Sequence, residues 1–333
     1  MLPDEKPYDP AWSPSPAGFA PATPVSNLAD ELLGWARLSL LEGPSRPPWT
    51  ALSTDQGVEV RADREHGVSP LDPEGREMTI GAGAFLFNLR VGAAYFGIRC
   101  DVAYLPEAED SDLLARVRLA PGGGHEPDLS GLFPSLARRP DGRRLEADPV
   151  SEDVLDSLAA TARKGPARVR FVMDAAARAE IAALVAEGDR SLFADPGFRY
   201  ELGARARPPA ARGPAGRDGF LPVPDLFSSL SPWYLSSFDL GGLQAQRDFR
   251  VASEAPMLAV VHAEETPSAW LAAGEEVERV VLAAARLGVA VSFLNQPIEV
   301  RALRAALRTL LSLTDWPQLL LRLGMPRRAR ARS

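Results

Sequence analysis

The chain has a single cysteine, Cys100, so it forms no internal disulfide and no cysteine-clustered metal site. Histidine is almost as scarce: His66, His125 and His262 are scattered, with no spacing that would converge them, and no metal site is expected. Positive charge falls short of negative, 37 Lys and Arg against 44 Asp and Glu, and the net charge of −7 disfavours nucleic acid and anionic membrane. Long apolar runs are missing too, since Val280–Ala285 and Leu319–Leu321 are far too short to span a bilayer. Met1–Pro16 carries acids and prolines but no apolar h-region, so it is not expected to be a signal peptide. With those classes set aside, 333 residues that are 46% apolar remain, ample for a packed core. A soluble cytoplasmic protein is the plain expectation.

Pro3, Pro7, Pro10, Pro14, Pro16, Pro21 and Pro24 make residues 1–25 an extended arm. Ser26 is a plausible cap for a helix carrying Leu28, Leu32, Trp35 and Leu38, with Gly43 as its stop. Gly57–Asp63 reads as a strand, Gly83–Tyr95 as a helix burying Phe85, Leu86, Leu89 and Ala93, and Ile98–Tyr104 and Ala115–Leu119 as strands. A second series begins near Leu132. Ser151 can cap a helix with Val154, Leu155, Leu158 and Ala162 inward; Val169–Met173 reads as a strand and Ala175–Glu187 as a helix. Arg205–Gly242 is rich in Pro, Gly, Arg and Ser, a loop of the length that marks a lid or a linker. Then come a strand (Met257–His262), a helix capped by Ser268 and ended by Gly288, a strand (Val289–Phe293), a helix (Val300–Leu313) and a basic tail. The order helix, strand, helix, strand occurs twice, which allows a duplicated α+β architecture without naming a function.

Pro256–Arg304 reads PMLAVV, then WLAAGEEVERVVLAAARLGVAVSFLNQPIEVRALR, followed by PQLLLRLG at Pro317–Gly324 and PRR at Pro326–Arg328. Upstream lie LDPEGREMTIGAGAFLFNLRVGAAYFG (Leu71–Gly97) and LARRPDGRRLEADPVSEDVLDSLAATA (Leu136–Ala162). Together these stretches resemble the Acg family of nitroreductase-like proteins over roughly residues 26 to 328. The resemblance implies an α+β nitroreductase fold, a single-chain pseudo-dimer of two homologous halves (26–130 and 131–333). A lid insertion at about 205–250 would lie in the second half, with Trp233, Tyr234 and Phe238 as aromatics able to cap a planar ring.

It further implies one FMN between the halves and an FMN-dependent oxidoreductase. Hydride would pass through flavin N5 to or from a small conjugated substrate, with NAD(P)H as a possible electron donor. Cofactor contacts would come from the GPSRPPW loop (Ser45, Arg46, Trp49) and from Ser292, Asn295 and Gln296 after a strand. The phosphate would be held by Arg138, Arg139 and Arg143 in RRPDGRR together with Arg327 and Arg328. Arginine suits that dianion because its planar fork makes paired, charge-assisted hydrogen bonds. This chain departs from the family's P-S-x-H-N-x-Q-P-W loop, which is three residues shorter here and lacks His, Asn and Gln. It also places Pro140 and Gly142 inside the arginine motif. Other readings of the same residues stay open: a solvated arginine run, and a plain turn at Asn295-Gln296-Pro297. So do a non-catalytic FMN-binding or sequestering protein, a flavin-free pseudoenzyme with an interaction role, and either a monomer or a weak homodimer. No catalytic side chain is assigned.

Overall fold

A computed structural model of the chain describes residues 25–38, 47–64, 72–122, 126–137, 145, 150–162, 165–205 and 237–326. The first series of elements is α1 (Val25–Ala36), β1 (Trp49–Thr54), β2 (Gly57–Ala62), α2 (Arg76–Tyr95), β3 (Ile98–Tyr104) and β4 (Leu113–Pro121). The second is α3 (Glu152–Thr161), β5 (Ala167–Val172), α4 (Ala175–Ala194), α5 (Pro196–Arg205), α6 (Gly241–Ser253) and β6 (Met257–Ala263). It continues with α7 (Pro267–Arg286), β7 (Ala290–Phe293), α8 (Arg301–Leu310) and β8 (Trp316–Gly324).

Each series closes one four-stranded sheet, and the two sheets share a topology. Their strand orders are β1-β2-β4-β3 and β5-β6-β8-β7, every neighbouring pair is antiparallel, and the long helix follows the second strand in both. Even the irregularity repeats. In the β2–β4 ladder Val60 faces Ala115 and Arg61 faces Leu113, which leaves Leu114 as the extra residue of a bulge. In β6–β8, Val261 faces Leu319 and His262 faces Pro317, leaving Gln318 in the same role. The chain is therefore built of two halves with one plan.

The halves meet through α2 and α7, each 20 residues long. Gly83 and Gly274 both lie seven positions after their helix starts, Arg76 and Pro267. A Cβ on Gly83 would meet Leu271 O at 2.1 Å, and one on Gly274 would meet Ile80 O at 1.9 Å. Leu271 and Ile80 are again equivalent positions, so the contact is reciprocal in the manner of a two-fold interface between identical subunits. Only glycine lets the two backbones touch.

One apolar cluster joins α1 and α2 to the first sheet through Leu32, Phe85, Leu86, Leu89, Val58 and Val60. A larger one fills the space around α7 and the inner face of the second sheet, and a third lies on that sheet's outer face under α4, α6 and α8. Several expectations are corrected. β1 and β8 are additional strands, and α2 begins at Arg76 rather than Gly83. The cap of α7 is Thr266, whose Oγ1 accepts from Ala269 N at 3.3 Å, and not Ser268. The helix expected to end at Glu187 runs to Ala194. Within the expected lid, Gly241–Ser253 is a helix whose Gln244, Ala245, Asp248 and Ala252 are buried. Residues 206–236, with Trp233 and Tyr234, lie outside the described residues, while Phe238 is exposed. No described helix is long and apolar enough to cross a membrane, and no group of metal-binding side chains occurs among the described residues.

Candidate functional site

Two buried polar constellations mark the second half, and the first belongs to the seam. Asp72 caps α2 by accepting from Met78 N at 3.1 Å, and Gly75 takes the left-handed φ of 70° that the entry turn requires. That turn aims Arg76 across to the other half. Its Nη1 donates to Gln318 O at 3.0 Å, and its Nη2 faces the Glu299 carboxylate at 3.3 Å. Around it Arg304 donates to Gln318 Oε1 at 2.8 Å and pairs with Glu265 at 2.6 Å, and Trp270 Nε1 donates to Glu265 at 2.9 Å. Burial pushes the Glu265 carboxyl up, but Arg304 and these donors outweigh it and hold the group below its ordinary value. Three of the segments that carry the family resemblance thus converge: Asp72–Glu77, the Gln296–Glu299 turn with Arg304 beyond it, and Gln318. Their work here is to key one half into the other.

The second constellation lies between α4, α6 and the turn after β7. Glycines allow the close approach. A Cβ on Gly188 would meet Gln296 at 2.7 Å, and one on Gly241 would meet Phe193 Cβ at 2.8 Å and Asp189 O at 3.2 Å. Asp248 Oδ2 accepts from both Gln244 Nε2 and Gln296 Nε2, each at 2.7 Å. Asp189 stands beside it, only 2% exposed. Burial and then the Asp248 charge raise the Asp189 carboxyl to about 8, and burial raises Asp248 as well. Arg322, on β8, donates from Nε to Ser292 Oγ at 3.0 Å. Burial lowers its guanidinium to about 10, against the opposing pull of Asp248.

The expected site residues are distributed unevenly. Ser292 and Gln296 both belong to this second constellation. Asn295, 3% exposed, accepts from Leu320 N at 2.9 Å through Oδ1, and its Nδ2 has no partner among the described residues. Trp49 is not among them. It is buried in the first half's core against Phe85, ring centroids 4.6 Å apart, and fixes the strand that follows the GPSRPPW loop. Ser45, Arg46, Arg138, Arg139, Arg143, Arg327 and Arg328 lie outside the described residues. The residues that adjoin the two arginine motifs are described, however: Leu145 forms an isolated antiparallel bridge with Pro326, and its Cδ1 lies 3.0 Å from a Cβ built on Gly324.

Sequence reasoning missed Asp189, Asp248, Gln244 and Arg322. The one available signal was Arg322, a cation interrupting the apolar run LLLRLG. A charge amid strand residues buried on both faces needs a partner.

No family model matches the chain. It is 27% identical over 287 residues to "Putative NAD(P)H nitroreductase Rv3131" of Mycobacterium tuberculosis, a match covering 83% of this chain and 79% of that protein. It is 29% identical over 132 residues to "Putative NAD(P)H nitroreductase acg" of the same organism, covering 38% of this chain and 39% of that one. Among solved structures it is similar to a nitroreductase with bound FMN from Bacteroides fragilis, at 16% identity and a TM-score of 0.35. That match covers 61% of this chain and 94% of the other.

Proposed function

We propose that this chain, whose sequence relatives are nitroreductases with Acg among them, is an FMN-dependent oxidoreductase of nitroreductase type. In this reading it works on a small conjugated substrate with NAD(P)H as donor. The observation that carries the reading is the Leu145–Pro326 bridge. Arg143 and Arg144 come immediately before one partner, and Arg327 and Arg328 immediately after the other. The bridge pairs the residues that adjoin two arginine motifs some 180 residues apart in sequence, and arginines drawn from both motifs would suit one phosphate dianion. Arg138, Arg139, Arg143, Arg327 and Arg328 are assigned to that phosphate. Each good charge-assisted bond contributes about 1.5–3 kcal/mol net, so loss of one weakens FMN by roughly ten- to a hundredfold.

The ring end has its own support. Asn295 offers a buried donor, Nδ2, that no described residue accepts, and a flavin carbonyl or ring nitrogen is an acceptor of the right kind. Ser45 and Arg46 are assigned to the same ring from the first half, and Trp49 anchors the strand that follows them in sequence. Ser292, bonded to Arg322, and Gln296, bonded to Asp248, flank Asn295 in sequence and are assigned to the same end of the cofactor. When bound, FMN supplies the redox chemistry at N5; the protein orients it, donates to its edges and excludes water. The halves 26–130 and 131–333 are the two cradles.

Purified protein is expected to be yellow, to release FMN on denaturation and to bleach when NAD(P)H is added without oxygen. Replacing Arg327→Ala together with Arg328→Ala lowers FMN occupancy. Colour that never bleaches would point instead to storage of the cofactor. Colourless protein gaining no thermal stability from added FMN overturns the reading.

A further inference from the structure

Asp189 and Asp248 are two carboxylates on neighbouring helices, both buried, and neither is part of the phosphate or ring assignment. Their surroundings hold too many acceptors. Asp189 Oδ2, Gln244 Oε1 and Gln296 Oε1 are all buried, and none has a donor among the described residues. Both glutamines already commit their Nε2 to the same Asp248 oxygen, so rotating either amide would break a 2.7 Å bond to make another. What the cluster lacks is donors. A proton on Asp189 supplies one, turning one orphaned acceptor into a donor for a second and leaving a single glutamine oxygen unpaired among the described residues.

We propose that Asp189 and Asp248 hold a single proton between them and act as positioning residues for Gln296, and through it for the Asn295–Gln296 turn. The positioning role rests on the function proposed above; the shared proton does not. Two carboxylates held close in a buried site cannot both ionise without mutual repulsion in poor solvent. Arg190 on α4, Arg247 on α6 and Arg322 on β8 are the cations that act on the pair, and they moderate its proton affinity without abolishing it. Other charges on the packed elements are turned elsewhere: Glu299 to Arg76, Arg304 to Glu265, Arg308 to Leu313 O and Thr314 O, and Arg199 to Phe193 O.

The sign of the effect is fixed. A carboxyl with a higher proton affinity in the folded chain keeps its proton after the unfolded chain has lost it. Stability is then full below the unfolded value and falls as pH climbs from about 4 to about 8. The test is thermal unfolding of the full chain at intervals from about pH 5 to about pH 9, comparing wild type with Asp189→Asn. The amide is uncharged throughout and can still donate. The Tm of the wild type is expected to drop by several degrees more than that of Asp189→Asn over this range. Parallel curves overturn the shared proton. Should Asp189→Asn fail to fold, the carbonyl stretch of a buried carboxylic acid in the wild-type infrared spectrum near neutral pH decides. Its presence, with a frequency that moves in Asp248→Asn, supports the proposal; its absence, or a band that Asp248→Asn leaves unmoved, overturns it. The flavin reports separately. If the stability curves diverge while the flavin absorbance of both proteins has the same pH dependence, positioning is refuted and the proton stands. Colourless protein refutes the assigned function and leaves the unfolding comparison intact.

Discussion

The two sheets share strand order, antiparallel pairing and the site of their bulge, yet they are used differently. In the first, β3 and β1 have exposed or half-exposed residues at most positions, because no described helix roofs that sheet's outer side. In the second, every residue of β6 and all of β8 after its first residue are buried, since α4, α6 and α8 roof the outer face. The roof comes from insertion. Where β1 turns into β2 through Asp55 and Gln56, β5 and β6 are separated by everything from Met173 to Pro256. The bulge shows the same division. Leu114 packs its side chain into an apolar core, whereas the equivalent Gln318 is the centre of a charged network that receives Arg76 from the other half. A repeated plan thus fixes geometry and leaves chemistry free: one half keeps an open sheet and the other a roofed one.

That asymmetry can be broken most severely at Arg76. Arg76→Ala leaves Glu299 buried without its main counter-charge and should lower unfolding free energy by about 3–5 kcal/mol, measurable by urea denaturation. A loss below about 1 kcal/mol would mean that the seam ion pair is dispensable. Next comes Gln318→Leu, which gives the second bulge the chemistry of the first. It strips Arg304 of an acceptor and should cost about 1–3 kcal/mol, while the reverse change, Leu114→Gln, should cost at least as much by burying an unpaired amide. If Gln318→Leu is neutral, the two bulges are interchangeable and the comparison loses its point. The smallest effect separates the two long helices. Thr266 caps α7 from the N-cap position itself, whereas the N-cap of α2 is Gly75, which has no side chain to offer, and Asp72 caps from further upstream. Thr266→Ala should cost about 1 kcal/mol, and Gly75→Ala should cost by strain rather than by loss of a cap.

How much of this was legible depended on what each segment buries. α1, β3 and α7 were readable because apolar residues recur at the period of the element, and β6 as a short unbroken apolar run. β8, buried on both faces like β6, shows no alternation and has its run broken by Arg322, so the segment was recognised as a motif only. α4 was cut short at Gly188, which reads as a helix stop; it is instead the point where Gln296 approaches the helix backbone. α6 was taken for part of a lid because its inward face is Gln244 and Asp248, polar residues that a hydrophobic pattern cannot reveal. The same limit hid the Asp189–Asp248 pair. Ser292 and Gln296 were found only because their motif was recognisable, and pattern alone left them as a turn.

The contact between Gly83 and Gly274 has a consequence for how this chain can change over time. In a pair of identical subunits one codon writes both sides of such a contact, and a mutation alters both at once. Here two distant codons write it separately, so every side chain tried at either place is met by a backbone that has not moved. Two halves in one chain can vary separately at many positions, but at this crossing both codons must keep the same letter.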